Sequence, residues 1–572
     1  MEEVRSSHAI VCFGGFELDQ HARELRKDGT RIRLQEQPLQ ILRILLELPG
    51  KIITREELRA KIWPSDTFVD FDHGINNAIK RLREALGDTA DTPRYVETLP
   101  RRGYRFIGRI DRETPRFRSL AVLPLEDLSH DPGQEYFAEG LTEALITTLA
   151  KIGELRVVSR TSSMLYKGVR KPLREIAREL EVDTIVEGTV LRAGDRVRIT
   201  AQLIDPMKET HLWAESYDRH LRDVLDLQAD LARAIAHQVQ IKLTPQEQAQ
   251  LAQAHPVDPE SYEAYLKGRY HWIKRSREGH AQACQYFQQA IAKDPASATA
   301  YAGLADAASI MGLWGLLPPE DGCGRARGLA LKALDFDNSL AEAHTSLAWA
   351  TLHYDYDFAT AEKKFERAIE LNPRYATAHH WFGMSLGMMG RYEEGYTELK
   401  RAIRLDPHWS YIYFGLAFVH WCGRRHDEAI ESCEKALELD PNSVQALAWL
   451  GLSYVAKMAF EPAIAALQRS ADISQRAPAP VALLGEAYAA AGVPDEAQKI
   501  LDELTGQRHV TAYFVSRIYA ALGKTNEALK WLETSYRDHG EWMVLLKVDP
   551  RFDSLRDDAR FQGLMRRMNF PE

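Results

Sequence analysis

Two arginines stand side by side in RYVETLPRRGYRF, residues 94–106, between two short runs of alternating apolar residues. The alternation predicts a β-hairpin with Arg101 and Arg102 at its exposed tip, where guanidinium groups present forked donors suited to phosphate oxygens. Just before it lies DHGINNAIKRLREALGD, residues 72–88. Ile75, Ile79, Leu82 and Leu86 recur at helical spacing and must pack inward. At about 100° per residue, the opposite face carries His73, Asn77, Lys80, Arg81 and Glu84, with Asn76 and Arg83 on one flank. Such a helix fits the major groove of B-DNA, where Arg and Lys read guanine and Asn pairs bidentately with adenine. A hairpin beside it reaches the neighbouring minor groove or backbone. A charged face alone is also what any solvated helix shows. The surrounding strands and helices are what point to double-stranded DNA.

Other candidate chemistry fails on context. Gly383 to Gly387, GMSLG, matches the G-x-S-x-G of serine hydrolases, but that elbow needs a strand before Ser385, and Gly383 occupies a helix position recurring at Gly451 and Gly485. His379, His380 and Cys422 have no partner at metal-ligand spacing, and there is no G-x-x-x-x-G-K-[ST] phosphate loop. Asp127, Asp131 and Glu135 follow a strand but read as loop solvation. No enzyme, cofactor or metal is expected.

The elements that must position the helix and hairpin are legible upstream. Residues 11–34 hold short β-like runs with turn chemistry in KDGT, predicting a small antiparallel sheet. Two helices follow, PLQILRILLELPG with Pro38 in its first turn and TREELRAKIW with Thr54 as cap and Glu57 three residues on. Residues 1–112 carry 20 Lys+Arg against 18 Asp+Glu in a chain of net charge −9, so the positive part lies at the N-terminal end.

At 572 residues the chain is expected to form several structural units. There is no apolar run of about 18 residues to cross a membrane and no secretory signal at the N-terminus, which predicts a cytoplasmic protein. The five cysteines, Cys12, Cys284, Cys323, Cys422 and Cys433, form no C-x-x-C pair and read as buried thiols.

The C-terminal half repeats. Pro259, Pro295, Asn338, Pro373, Pro407, Pro441 and Gln475 hold equivalent places, the last four steps being 35, 34, 34 and 34 residues. Small residues recur where two helices must approach, at Ala361, Gly395, Ala429, Ala463 and Ala497 and at Ala368, Ala402 and Ala436. Between 118 and 243 strands and helices alternate, with a hairpin turning at Gly194-Asp195.

INNAIKRLREALGD followed by PRYVETLPRRGYRFIG resembles the OmpR/PhoB-type winged-helix effector domain. The resemblance implies that residues 72–86 are the recognition helix and the hairpin the wing, although Pro100 displaces the wing arginines to 101 and 102. The few residues before the domain are too short for the receiver such effectors usually follow, so phosphorylation of a receiver is not expected to switch it. The repeat resembles tetratricopeptide repeats, and LAVLPLEDLS with VEGTVLRAGDRVRITAQLID resembles the TolB-like domain. The expected architecture is multidomain. A winged helix-turn-helix (α+β) spans 1–112, a TolB-like α/β domain 113–250, and an all-α tetratricopeptide superhelical solenoid with a cap 256–572. The expected function is a DNA-binding transcriptional regulator whose repeats dock a protein or peptide partner, with more than one chain on the DNA. The alternative is a non-enzymatic scaffold that uses its winged helix for protein contacts.

Overall fold

Alternating apolar residues and paired glycines build the first element. In the computed structural model β1 (Ile10–Phe13) and β2 (Phe16–Asp19) pair antiparallel across Gly14 and Gly15, both at positive φ, the conformation a tight hairpin turn demands. The structure describes residues 10–19, 24–27, 30–63, 71–108, 117–129, 131–239, 241, 243–245, 248, 257–507, 509 and 511–571. The Asp28-Gly29 turn, the junctions at 112–113 and 250–256, and the side chains of Cys12 and Asp72 lie outside them. The chain divides into two compact units, Met1–Arg116 and Phe117–Glu572.

In the first unit β3 (Glu24–Lys27) and β4 (Thr30–Ile32) complete a four-stranded antiparallel sheet. Three helices follow, α1 (Glu36–Glu47), α2 (Arg55–Ile62) and α3 (Phe71–Leu86). Thr54 caps α2 reciprocally: its Oγ1 accepts from the Glu57 N–H at 3.2 Å, and Glu57 Oε2 accepts from the Thr54 N–H at 2.7 Å. β6 (Val96–Leu99) and β7 (Gly103–Phe106) form the hairpin, and β5 (Ile52–Ile53) pairs with β7. Leu42, Leu45, Ile79, Leu82 and Phe106 share one core.

In the second unit β8 (Ser119–Val122) lies between β10 (Arg156–Val157) and β11 (Thr184–Ala193), parallel to both. β12 (Arg196–Asp205) and β13 (Thr210–His220) extend the sheet antiparallel, and β9 (Glu126–Asp127) pairs beside β11. Successive residues of β8 point to opposite faces. Leu120 and Val122 pack under α4 (Glu135–Ala150) and α7 (Val224–Gln238), while Ala121 and Leu123 pack under α6 (Leu173–Glu179).

Eight helix pairs follow among the described residues, from Pro259–Ile273 with Arg277–Lys293 to Ala512–Ala521 with Thr525–Arg537. A final helix, Ala559–Met568, covers the last pair. The recurring small residues sit at the crossings: Ala361, Ala429, Ala463 and Ala497 are buried, and a Cβ added at Gly451 would stand 2.4 Å from Leu467 Cγ. The array closes on itself. The Ala479 N–H donates to Trp314 O at 3.4 Å and Trp542 Nε1–H donates to Leu313 O at 2.8 Å, so the second pair meets the seventh and the segment after the eighth. Trp349, Trp381 and Trp449 converge there around a cavity of about 80 Å³. Among the described residues no helix is long and apolar enough to cross a membrane.

The sheet segment and the array share one core. Tyr262 and Leu266 of the first repeat helix belong to the cluster under α4 and α7. Gly140 of α4 lies against Leu266, where an added Cβ would come within 2.7 Å of Cδ2. Tyr136 OH donates to Glu263 Oε1 at 2.8 Å, Arg192 Nη2 to Glu263 Oε2 at 2.6 Å, and Arg374 Nη2 to Gly153 O at 2.8 Å. Gly140→Val is therefore expected to destabilise Phe117–Glu572 by about 1–3 kcal/mol through overpacking. The midpoints of the sheet's near-UV signal and of the helical signal should fall together in urea. A loss confined to one signal would contradict the shared core.

Candidate nucleic-acid interface

α3 forms because its apolar residues fall on one stripe. Ile75, Ala78, Ile79, Leu82 and Leu86 are buried, while His73, Asn76, Asn77, Lys80, Arg81 and Glu84 are exposed. Gly87, at φ +64, ends the helix: the Asp88 N–H donates back to Arg83 O at 2.9 Å, closing the last turn.

The loop leaving the helix fixes the hairpin to it. The Asp88 carboxylate accepts from four backbone N–H groups, those of Thr89 at 2.9 Å, Arg94 at 2.6 Å, Tyr95 at 3.0 Å and Val96 at 2.8 Å. Burial pushes this carboxyl up, but the four donors together outweigh it and hold its pKa below the usual aspartate value. Arg83 adds a second tie, its Nη2 donating to Val96 O at 2.6 Å and Thr98 Oγ1 at 2.9 Å. The other strand is tied by Asn76, whose Oδ1 accepts from Tyr104 OH and from Arg55 Nη2, both at 2.9 Å. α2, α3 and both hairpin strands are thus joined on one side of the helix.

The hairpin tip carries its own signature. The Arg102 N–H donates to Leu99 O at 3.0 Å, with Pro100 second in the turn and Arg101 third at φ +62. That is the pattern of a type II turn, in which the third residue is ordinarily glycine. An arginine there costs about 1–2 kcal/mol of backbone strain. Gly103, at φ +135, has no alternative, since a Cβ would stand 2.1 Å from Ile53 O. The strands behind the tip are cross-linked by Arg105, whose Nε donates to Glu97 Oε2 at 2.8 Å.

The structure therefore sorts the residues singled out from the sequence. His73, Asn77, Lys80 and Arg81 share the outward surface of α3, where Arg81 also donates to Gln35 at the start of α1. Arg101 and Arg102 are exposed at the tip. Asn76 and Arg83 engage the hairpin and Arg55 instead of projecting alone. The pattern reading missed Asp88 and Arg55. For Asp88 a signal existed, an aspartate one residue past a helix-ending glycine in GDTADTP, where Asp caps backbone N–H groups. Arg55 had none, because its partners lie 21 and 49 residues away.

The remaining candidates are structural. Ser385 lies within the helix Ala376–Met389 and donates to Trp381 O at 2.8 Å. His379 is held between Glu398 Oε2 at 2.6 Å and Pro373 O at 2.9 Å. Asp127 accepts from the Ser129 N–H and Asp131 from the Gly133 N–H. Cys323, Cys422 and Cys433 are buried free thiols and Cys284 is half-buried. Among the described residues no group of three or more His, Cys, Asp or Glu side chains could hold a metal ion.

Residues 29–106 match the family described as transcriptional regulatory protein, C terminal, and residues 410–443 match the tetratricopeptide repeat. Residues 29–106 belong to this effector family. A "Putative adenylate cyclase 3" of Rhizobium meliloti is 38% identical over 240 residues, which are 42% of this chain and 41% of that protein. The chain thus spans about two fifths of that relative's length. The transcriptional regulator HilA of Salmonella typhi is 24% identical over 402 residues, 68% of this chain and 69% of its own. Among solved structures, the RstA DNA-binding domain of Klebsiella pneumoniae in complex with the RstA box is 28% identical, covering 18% of this chain and 98% of that one, with a TM-score of 0.16.

In this effector domain the Asp88 contribution has a defined pH window. Its folded pKa lies below the unfolded value, so the stabilisation is complete above the unfolded aspartate pKa of about 3.9 and is lost as pH falls through the folded value. Asp88→Asn, which leaves N–H donors poorly satisfied, is expected to cost about 1–3 kcal/mol at neutral pH. Urea titrations of residues 1–116 at pH 7 and pH 3 should show a large gap between wild type and variant at pH 7 and a smaller one at pH 3. Equal gaps would remove the carboxylate from the account.

Proposed function

We propose that this chain is a cytoplasmic, DNA-binding transcriptional regulator whose α3 lies in the major groove and whose hairpin reaches the adjoining backbone or minor groove. The observation that carries the reading is the strain at Arg101: a left-handed arginine at the most exposed point of the domain, where glycine would be cheaper. His73, Asn77, Lys80 and Arg81 face the bases and the neighbouring phosphates, and Arg101 and Arg102 contact phosphate. Asn76 and Arg83 act chiefly by holding helix and hairpin in register. The match of residues 29–106 to the effector family and the likeness to HilA support this reading. Residues 113–250 are proposed to be a TolB-like domain, a reading supported by the mixed sheet between two helical layers. The repeat array is proposed to engage a protein or peptide partner that conveys the signal. A single effector domain with a balance of only +2 over residues 1–112 binds one half-site weakly. Operators should then contain half-sites about one helical turn apart, occupied by more than one chain.

The test titrates residues 1–116 against genomic fragments at two salt concentrations. Log affinity should fall with log salt, and each lost phosphate contact should reduce the slope by about 0.9. Arg101→Gly should lower that slope while leaving the domain as stable or more so, because glycine relieves the positive φ. Asn77→Ala should relax preference at one base position at a cost of roughly 1–3 kcal/mol. Absence of binding at low salt would leave the domain as a protein-contact module in a scaffold.

A further inference from the structure

Independently of DNA binding, the closed end of the repeat array contains a cavity of about 350 Å³ between the second pair, the eighth pair and the segment after it. By the same measure one water needs about 10–15 Å³. The space is therefore of the size that small-molecule sites occupy, about 300–1,000 Å³. Its walls are aromatic, formed by Trp531, Trp542, Tyr513 and Phe514. Glu320, Asp538 and Glu541 line it together with one basic side chain, His509, and Asp538 is paired with Arg537 at 3.0 Å.

Glu541 is the telling member. Its residue is 6% exposed, and its Oε1 accepts no hydrogen bond. Two glycines make room for the carboxyl: a Cβ on Gly312 would stand 2.6 Å from Oε1, and one on Gly322 3.1 Å. Its backbone is pinned on three sides. Glu541 O accepts from His353 Nδ1 at 2.8 Å, Gly540 O from Tyr356 OH at 3.0 Å, and the next residue, Trp542, donates to Leu313 O. Ser535 and Thr511 line the same cavity with other atoms, their hydroxyl oxygens being buried without a hydrogen-bond partner. Without a counter-ion, burial pushes the Glu541 carboxyl up to about 8. The carboxyl is held by dedicated contacts beside an aromatic cavity, where a cation would restore its charged form.

We propose that this cavity binds a small organic cation, an ammonium or amidinium group on a short apolar body, with Glu541 as its counter-ion. The Trp531 and Trp542 rings cover the apolar body and stabilise the charge through their faces. A metal ion fits less well, since oxygen-rich coordination would require more carboxylates and carbonyls than these walls offer.

Calorimetric titration of the full chain with 2-phenylethylammonium and butylammonium chloride tests the proposal, with 2-phenylethanol and butan-1-ol as uncharged counterparts. Each amine should bind saturably at one site per chain and at least about tenfold more tightly than its alcohol. Glu541→Gln should abolish that preference. The variant replaces a carboxyl that burial holds largely protonated at neutral pH by a neutral amide of the same shape and should melt close to wild type. Thr534→Trp, which fills the cavity while keeping Glu541, should abolish amine binding and provides the check should Glu541→Gln fail to fold. Amines binding no better than alcohols, or unchanged amine binding in both variants, would overturn the proposal. So would a lysine-containing pentapeptide binding where the free amines do not, which would assign the cavity to a peptide.

Discussion

Four backbone N–H groups converge on the Asp88 carboxylate, and the geometry of the N-terminal unit depends on that convergence. The loop from 89 to 95 has little regular structure of its own, yet it must deliver β6 beside α3 in one position. A single carboxylate does this by satisfying donors at both ends of the loop, and Arg83 repeats the tie from inside the helix. The groups that set the angle between helix and hairpin therefore lie between them. On the outer surface, the side chains of Asn77, Lys80 and Arg102 take no part in these ties.

The second unit obeys a different constraint, the closeness of helix crossings. Alanine and glycine at the crossings let each pair pack tightly, and the accumulated turn brings the second pair against the seventh. The same rule joins the sheet to the array, since Gly140 lets α4 settle on Leu266. The core under α4 and α7 is incomplete without Tyr262 and Leu266 of the first repeat helix. A change in the packing of the first repeat helix would thus be felt in the sheet.

How much of this is visible in the sequence depends on the range of the interaction. The α3 stripe, the Thr54 to Glu57 capping box and the 34-residue repeat are local patterns, and they stand in the structure where periodicity places them. The conspicuous Arg101-Arg102 pair was also legible, but not the positive φ of Arg101, which depends on how the turn closes on Leu99. β5, only two residues long, exists because β7 offers it a partner. Arg55, Asn76 and Tyr104 meet from three elements, and Glu541 meets Gly312 across more than half the array. No window of sequence contains such a pair, so pattern reading assigns these residues to solvent or core.

The central claim is that α3 and the hairpin meet DNA as one fixed surface. Ethylation interference on a bound half-site tests it most directly, because it maps the phosphates on which binding depends. The account predicts two separated patches, one flanking the major groove that receives α3 and one at the neighbouring minor groove, with only the second lost when Arg101 and Arg102 are both changed to alanine. A single patch that the double change leaves intact would contradict it.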